Sequence, residues 1–307
     1  MYYKYSGSDK QTGKVRISFL NDGFFRFTQP RFLNDPKEGK PKMFVHEYSP
    51  KDIELAKRKL VDSNFISFGG EIKDEDVIAS ELTPYPAGRM GDVFPHLLRQ
   101  DGFSSMKEYD ESQLLSTYQA FDKQLNDEIG VFSLTTDNKN QVMWSSYSNE
   151  YNGIVIGFSD KIKSSTRYIS QGVEYDPDKI NFQISLNQGI VRFNGININK
   201  ATDNRFGVTN DILKSFLFHK EEKWGYEEEF RMVSRLKDAD KKFGDVYLEK
   251  IPFDLFQTIY IGNKISEEEK NEVFVSLKSN EHLSHIKVYL QSFNKLTGDI
   301  EFVPIGL

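Results

Sequence analysis

Residues 2–5 alternate as a strand does, and Asn21-Asp22-Gly23 marks a turn before the aromatic run Phe24-Phe25-Arg26-Phe27. Residues 29–36 read as a loop, because Pro30 and Pro36 flank it and Asn34-Asp35-Pro36 favours a turn. The period then lengthens to that of a helix. Ser49, Pro50 and Asp52 form a start signal, and Ile53, Ala56 and Leu60 share one face behind it. A second helix is predicted over residues 105–127, with Tyr118, Phe121 and Leu125 on a common stripe. Strand patterns return at 130–135 and, after the turn signal Asn152-Gly153, at 154–158, with a helical turn between them at 142–148. Residues 185–206 are polar, rich in Asn and punctuated by Gly, which predicts a surface loop or irregular excursion. A helix is expected over 211–222, strands at 230–233, 245–251 and 256–261, and a helix over 267–277 capped by Ser266. Strands at 285–289 and 299–303 close the chain.

Strands and helices interleave here without regular βαβ spacing. That predicts an α+β fold with a mixed, mostly antiparallel sheet. With no linker-like stretch and no internal repeat, the expected organisation is one α+β domain over residues 1–307, carrying a helical insertion at about 49–128.

Composition narrows the function classes. The 307 residues hold no cysteine, which excludes a disulfide scaffold, a thiolate metal site and a Cys nucleophile. The longest strongly apolar run, residues 154–158, is far shorter than the roughly 20 residues that span a bilayer. The N-terminus lacks the apolar core of a signal peptide, so a cytoplasmic protein is expected. A net charge of −6 argues against a general polyanion binder and leaves room for a local basic patch. The phosphate-loop, dinucleotide, zinc-protease and hydrolase signatures are all absent. His282 and His285, three apart, read as a solvated pair, and no metal site is expected.

Three segments could carry chemistry. In 220–233, Gly225 interrupts a charge run and Phe230-Arg231-Met232-Val233 has strand patterning. Extended geometry would put Glu227, Glu229 and Arg231 on one face and Phe230 and Met232 behind them. Clustered like charges cost stability unless paired, so an ionic ladder or an active-site wall is expected. In the loop 29–36, Arg31, Asn34 and Asp35 could hold a phosphate or a ribose hydroxyl, or Asn34 and Asp35 could simply make an Asx turn. Around 143–147, Trp144 and Tyr147 lie one helical turn apart, as core residues or as a stacking platform. Phe24, Phe25 and Phe27 in a row could leave an aromatic edge for a partner or inhibitor protein.

Taken together, these segments resemble the bacterial family called domain of unknown function 2971. The likeness rests on Tyr3-Lys4-Tyr5, on Phe32-Leu33-Asn34-Asp35-Pro36, and on Phe132-Ser133 followed by Met143-Trp144 and Tyr147. It continues with Lys220, Trp224, Tyr226, Glu227, Glu229 and Arg231, and ends at Ile261-Gly262. A second likeness is to ADP-ribosyltransferases of the DNA-modifying toxin kind, through Arg31 after Phe25-Arg26-Phe27-Thr28 and the late Glu229-Phe230 strand. That likeness implies NAD as substrate, Glu229 as the catalytic carboxylate and Arg31 as a pyrophosphate anchor. It also implies aromatic pocket walls from Trp144 and Tyr147, Asn34 close to the nucleotide, and a protein or nucleic-acid acceptor. It would make the chain a toxin or phage-defence effector. The first strand offers Tyr3, Lys4 and Tyr5 where many such transferases place His or Arg, and no Ser-Thr-Ser strand is evident. Two other classes compete. One is a non-catalytic module that binds a nucleotide or protein, with Glu227, Glu229 and Arg231 paired to Lys220 or Lys223. The other is a metal-dependent nuclease built on Asp62, Glu71 and Lys73.

Overall fold

The computed structural model describes residues 1–8, 13–35, 42–45, 106–175, 183–187, 190–193, 196–197 and 216–306. The predicted helix at Ser49 and the trio Asp62, Glu71 and Lys73 lie outside them. The chain forms two compact units: residues 1–36, 126–179 and 218–307 make the first, and 37–125 with 180–217 the second.

The first unit is built on a sheet of eight strands: β1 (Tyr2–Ser6), β4 (Ile129–Thr135), β5 (Ile154–Phe158), β6 (Ile169–Gly172), β10 (Glu229–Arg235), β13 (Phe256–Ile261), β14 (Lys287–Phe293) and β15 (Ile300–Ile305). Their order is β15-β14-β13-β5-β1-β4-β10-β6, and every neighbouring pair is antiparallel except β13 with β14. This is the α+β class with a mostly antiparallel sheet. All five residues of β5 are buried, as expected of a central strand covered on both faces. On one face Phe132, Ile154, Ile156, Phe158, Met232, Phe256 and Ile259 form the main core. Helix α4 (Glu267–Ser279) adds Val273 and Leu277 to it. The Ser266 hydroxyl caps α4 by accepting from Glu269 N.

A three-stranded sheet, β11 (Lys241–Phe243), β12 (Val246–Lys250) and β2 (Phe24–Phe27), packs Phe25 and Phe27 into the same core. The turn signal at 21–23 is the end of a short helix, α1 (Phe19–Asp22). Gly23 closes it at φ 75°, a left-handed conformation that glycine takes without steric cost.

The sheet opens between β1 and β4. Five residue pairs join β1 to β5 and seven join β4 to β10, yet β1 meets β4 only at Tyr3 and Thr135. Beyond that point β4 bonds elsewhere, with Thr28 and Val131 exchanging both backbone hydrogen bonds at 2.8 Å. The split therefore leaves part of the facing edges of β1 and β4 free to take other partners.

The second unit contains α2 (Met106–Glu128) as far as Leu125, with Leu114, Phe121 and Leu125 buried and Phe121 edge-on to Phe216 at 5.7 Å. It also contains a four-stranded sheet ordered β3 (Lys42–Val45), β7 (Gln183–Asn187), β8 (Ile190–Phe193) and β9 (Ile196–Asn197). Over 185–197 this sheet corrects the expectation of a surface loop or irregular excursion, and residues 198–206 lie outside the described residues. Ile184 and Leu186 recur with period two, as do Val191 and Phe193, and Asn194-Gly195 is a strong hairpin signal that polar composition obscures. The helix expected over 211–222 also needs correction. Helical residues end at Leu217, His219 makes an isolated parallel bridge to Glu174, and a 3-10 turn runs over Glu222–Glu227.

Candidate functional site

The split between β1 and β4 holds a cavity of about 210 Å³. Its walls include Tyr3, Lys4, Asn34, Ser133, Tyr147, Lys220, Glu227 and Glu229. The volume is enough to seat one ring-sized group.

Strand β10 supplies the acidic wall. Its register sets Glu229 beside Thr135 and Arg231 beside Ser133. Glu227 is not part of that strand, which corrects the expected straight ladder. It ends the 3-10 turn, and Glu228 follows at φ 41°, a left-handed kink that swings the chain into β10. Despite the kink, Glu227, Glu229 and Arg231 meet at one place. Arg231, fully buried, holds Glu229 by two bonds of 2.8 Å, from Nε to Oε1 and from a terminal nitrogen to Oε2. Lys220 reaches from the preceding segment to both carboxylates, donating to Glu227 Oε2 at 2.6 Å and to Glu229 Oε2 at 3.2 Å. The Glu229 backbone N–H is taken by the hydroxyl of Tyr175 at 2.7 Å.

These partners set the charge states. Burial pushes the Glu229 carboxyl up, but the Arg231 guanidinium, with Lys220 behind it, outweighs burial and brings it down to about 2. Tyr147 donates its hydroxyl to Glu227 Oε1 and accepts from Asn34 Nδ2. Burial, then Glu227, pushes the Tyr147 phenol well above its ordinary range. Tyr3 is pushed up to about 12, by burial first and then by Tyr260. Lys4 crosses the split to donate to the Ser133 carbonyl at 2.9 Å, and its ammonium lies 5.1 Å from the Phe132 ring centroid. Burial brings Lys4 down to about 8, against the raising effect of Glu229. Among the described residues no carboxylate lies within 4.0 Å of it.

Helix α3 (Gln141–Tyr147) carries Tyr147 into the cavity. The Asn140 side chain caps it by accepting from Met143 N, and donates its own Nδ2 to the Tyr226 carbonyl at 2.7 Å. Thus the cap of α3 is tied to the turn that bears Glu227. After α3, three consecutive residues, Asn149, Glu150 and Tyr151, have positive φ between 50° and 71°. Gly262 makes room for them, since a Cβ there would stand 2.1 Å from the Tyr151 carbonyl oxygen.

The cavity thus gathers Tyr3, Lys4, Tyr5, Asn34, Tyr147, Lys220, Glu227 and Glu229, with Arg231 directly behind. Other expected residues sit elsewhere. Arg31 does not line it: its guanidinium lies 3.7 Å from the Asp127 carboxylate and 5.0 Å from the Phe32 ring centroid. Trp144 is fully buried, edge-on to Tyr5 at 5.6 Å, with its indole N–H on the Asn138 carbonyl at 2.8 Å. Asp35 is buried, and Trp224 lies under the Lys220 ammonium at 4.8 Å. Tyr5 donates to the Asp137 carbonyl at 3.1 Å. Lys223 pairs with Glu221, which leaves Lys220 as the lysine of the ladder. Tyr175, Thr135 and Asn140 carry no signal in the linear pattern, and only the folded register brings them to the site.

Among the described residues, no group of three or more His, Asp and Glu is placed to hold a metal ion, and no helix is long and apolar enough to cross a membrane. No curated protein and no solved structure matches the chain. Residues 143–232, from α3 through the Lys220, Glu227 and Glu229 wall, match the family described as Protein of unknown function (DUF2971).

Proposed function

We propose that the cleft at the β1–β4 split binds NAD and that the chain is an NAD-dependent ADP-ribosyltransferase with a protein or nucleic-acid acceptor. One observation carries the reading: Glu229 lines a small cavity, where Arg231 and Lys220 hold its carboxylate in place. In the reaction the ribose C1′–nicotinamide bond breaks and its electron pair leaves with neutral nicotinamide. The sugar takes on oxocarbenium character, and an acceptor nitrogen or oxygen then bonds C1′ and loses its proton. A fixed negative charge beside C1′ stabilises that transition state, and it does so more strongly in a site shielded from water. Glu229 supplies the charge, Lys220 and Arg231 fix its position, and Tyr3 and Tyr147 stand at the walls beside a ring-sized group. Arg31, tied towards Asp127, is not placed to serve the pyrophosphate.

A second reading, a nucleotide-binding module without turnover, is favoured by one specific feature. Arg231 and Lys220 already occupy three of the roughly four lone-pair positions of Glu229, and the Ser133 side chain bonds the same carboxylate. The two readings part on incubation of the protein with labelled NAD and a bacterial lysate. Label on protein or nucleic acid with the wild type, absent with Glu229→Gln, is the result expected of a transferase. NAD bound by calorimetry without release or transfer of label supports the module, and neither binding nor turnover refutes both.

A further inference from the structure

The outer face of the β11-β12-β2 sheet has a chemistry that the cleft does not use. Phe25, Phe27 and Glu249 point inward and are buried, so their alternate neighbours point outward. Register sets Phe24 opposite Lys250, and Arg26 opposite Leu248, which in turn faces Lys241. The next row pairs Val246 with Phe243. Residues opposed across antiparallel strands share a face. This face therefore carries Arg26, Lys241 and Lys250, and no acidic side chain stands on its strand positions.

The three cations have no carboxylate within 4.0 Å among the described residues. Asp245, in the turn between β11 and β12, acts on Arg26 from farther off, and the Arg16 charge opposes it. That is an unusual concentration in a chain of net charge −6. The cations are also interleaved with rings. Lys241 Nζ stands 3.9 Å from the Phe24 centroid. Arg26 and Arg31 lie 5.4 and 5.0 Å from Phe32, which is 50% exposed, and Phe243 is 64% exposed.

We infer that this sheet face binds single-stranded nucleic acid, with Arg26, Lys241 and Lys250 on phosphates and Phe243 and Phe32 stacking on bases. The charge complements a polyanion, and bare rings beside the cations select one whose bases are unstacked. A duplex hides its base faces, and an acidic peptide has few rings to offer. Phe32 also lines the cleft, but Arg26, Lys241, Lys250 and Phe243 lie outside it, so the inference does not rest on the reading of the cleft.

Fluorescence anisotropy with labelled dT12 and rU12, an equivalent duplex and poly-glutamate tests it in the full chain. The expected result is preference for a single strand over duplex and poly-glutamate. Its log K against log[salt] slope should be about −2, from three contacts at about 0.7 each. The triple variant Arg26→Gln, Lys241→Gln, Lys250→Gln should lose binding and most of the slope, with its circular dichroism unchanged. Phe243→Ala should weaken binding roughly tenfold and leave the slope intact. Absence of single-strand binding at low salt, equal binding to poly-glutamate, or binding that survives the triple variant would overturn the inference.

Discussion

Two charged side chains in the cleft have opposite energetic roles. Glu229 is stabilised by its partners, and Arg231 accounts for most of that. Arg231→Ala would leave a buried carboxylate with Lys220 alone, a change that costs about 3–5 kcal/mol. At about 1.5 °C per kcal/mol for a chain of 307 residues, melting should fall by about 5–8 °C, as differential scanning calorimetry would show. The pH dependence follows from the depressed carboxyl. Its folded value near 2 lies below the ordinary 4.5, so its contribution is complete above 4.5 and is lost as pH falls towards 2. Glu229→Gln should flatten the decline of melting temperature below pH 4.5. Lys4 behaves in the opposite sense. Its folded value near 8 lies below the ordinary 10.5, so stability should rise as pH climbs from about 8 to 10.5. Lys4→Met replaces a desolvated cation with an apolar chain of similar length, and should raise the melting temperature at pH 7 and abolish that rise. An unchanged melting profile in Lys4→Met would show that the amine is adequately solvated.

At the scale of elements, the cleft depends on how α3 is anchored. Its N-cap Asn140 is bonded to the Tyr226 carbonyl, and its C-terminal end leads into the left-handed turn at 149–151. Trp144 lies parallel to Tyr151 across 6.1 Å, so indole fluorescence reports on that turn. Gly262→Ala would drive a methyl group to 2.1 Å from the Tyr151 carbonyl oxygen, and backbone cannot yield as a flexible side chain can. It should lower the melting temperature and shift Trp144 emission, whereas Gly244→Ala at an open hairpin should leave the emission unchanged. Trp144 also shows what a pattern can and cannot tell. The spacing Trp144…Tyr147 predicted a helical turn correctly and left core and platform open, and only the transferase likeness put both residues on one wall. They lie three positions apart on the seven-residue α3, yet Tyr147 reaches the cavity while Trp144 packs on Tyr5 in the core.

Across the whole molecule, most strands were legible because they carry dense apolar runs: 130–135, 154–158 and 256–261 each fall within an observed strand. The strands within 183–197 are hidden in the sequence because Asn and Gly dilute their alternation. The cluster of Glu227, Glu229, Arg231 and Lys220 was legible as a local charge pattern, and its partners Tyr147 and Asn34 as separate motifs. That these motifs converge, and that they do so where β1 and β4 part, is a property of topology that local periodicity cannot encode. The same limit explains Arg31, which stands near the loop motif in sequence but turns towards Asp127 in the fold.

The proposed site of NAD cleavage is this split in the sheet, with Glu229 as its charged wall. Chromatographic measurement of free nicotinamide from NAD, with wild type and Glu229→Gln compared at equal folded concentration, tests it most directly. Steady release by the wild type is expected, with a loss of at least about a hundredfold in the variant, the scale seen when a fixed transition-state charge is removed. Equal release from the two proteins would contradict it, because Glu229 would then serve the fold and not the chemistry.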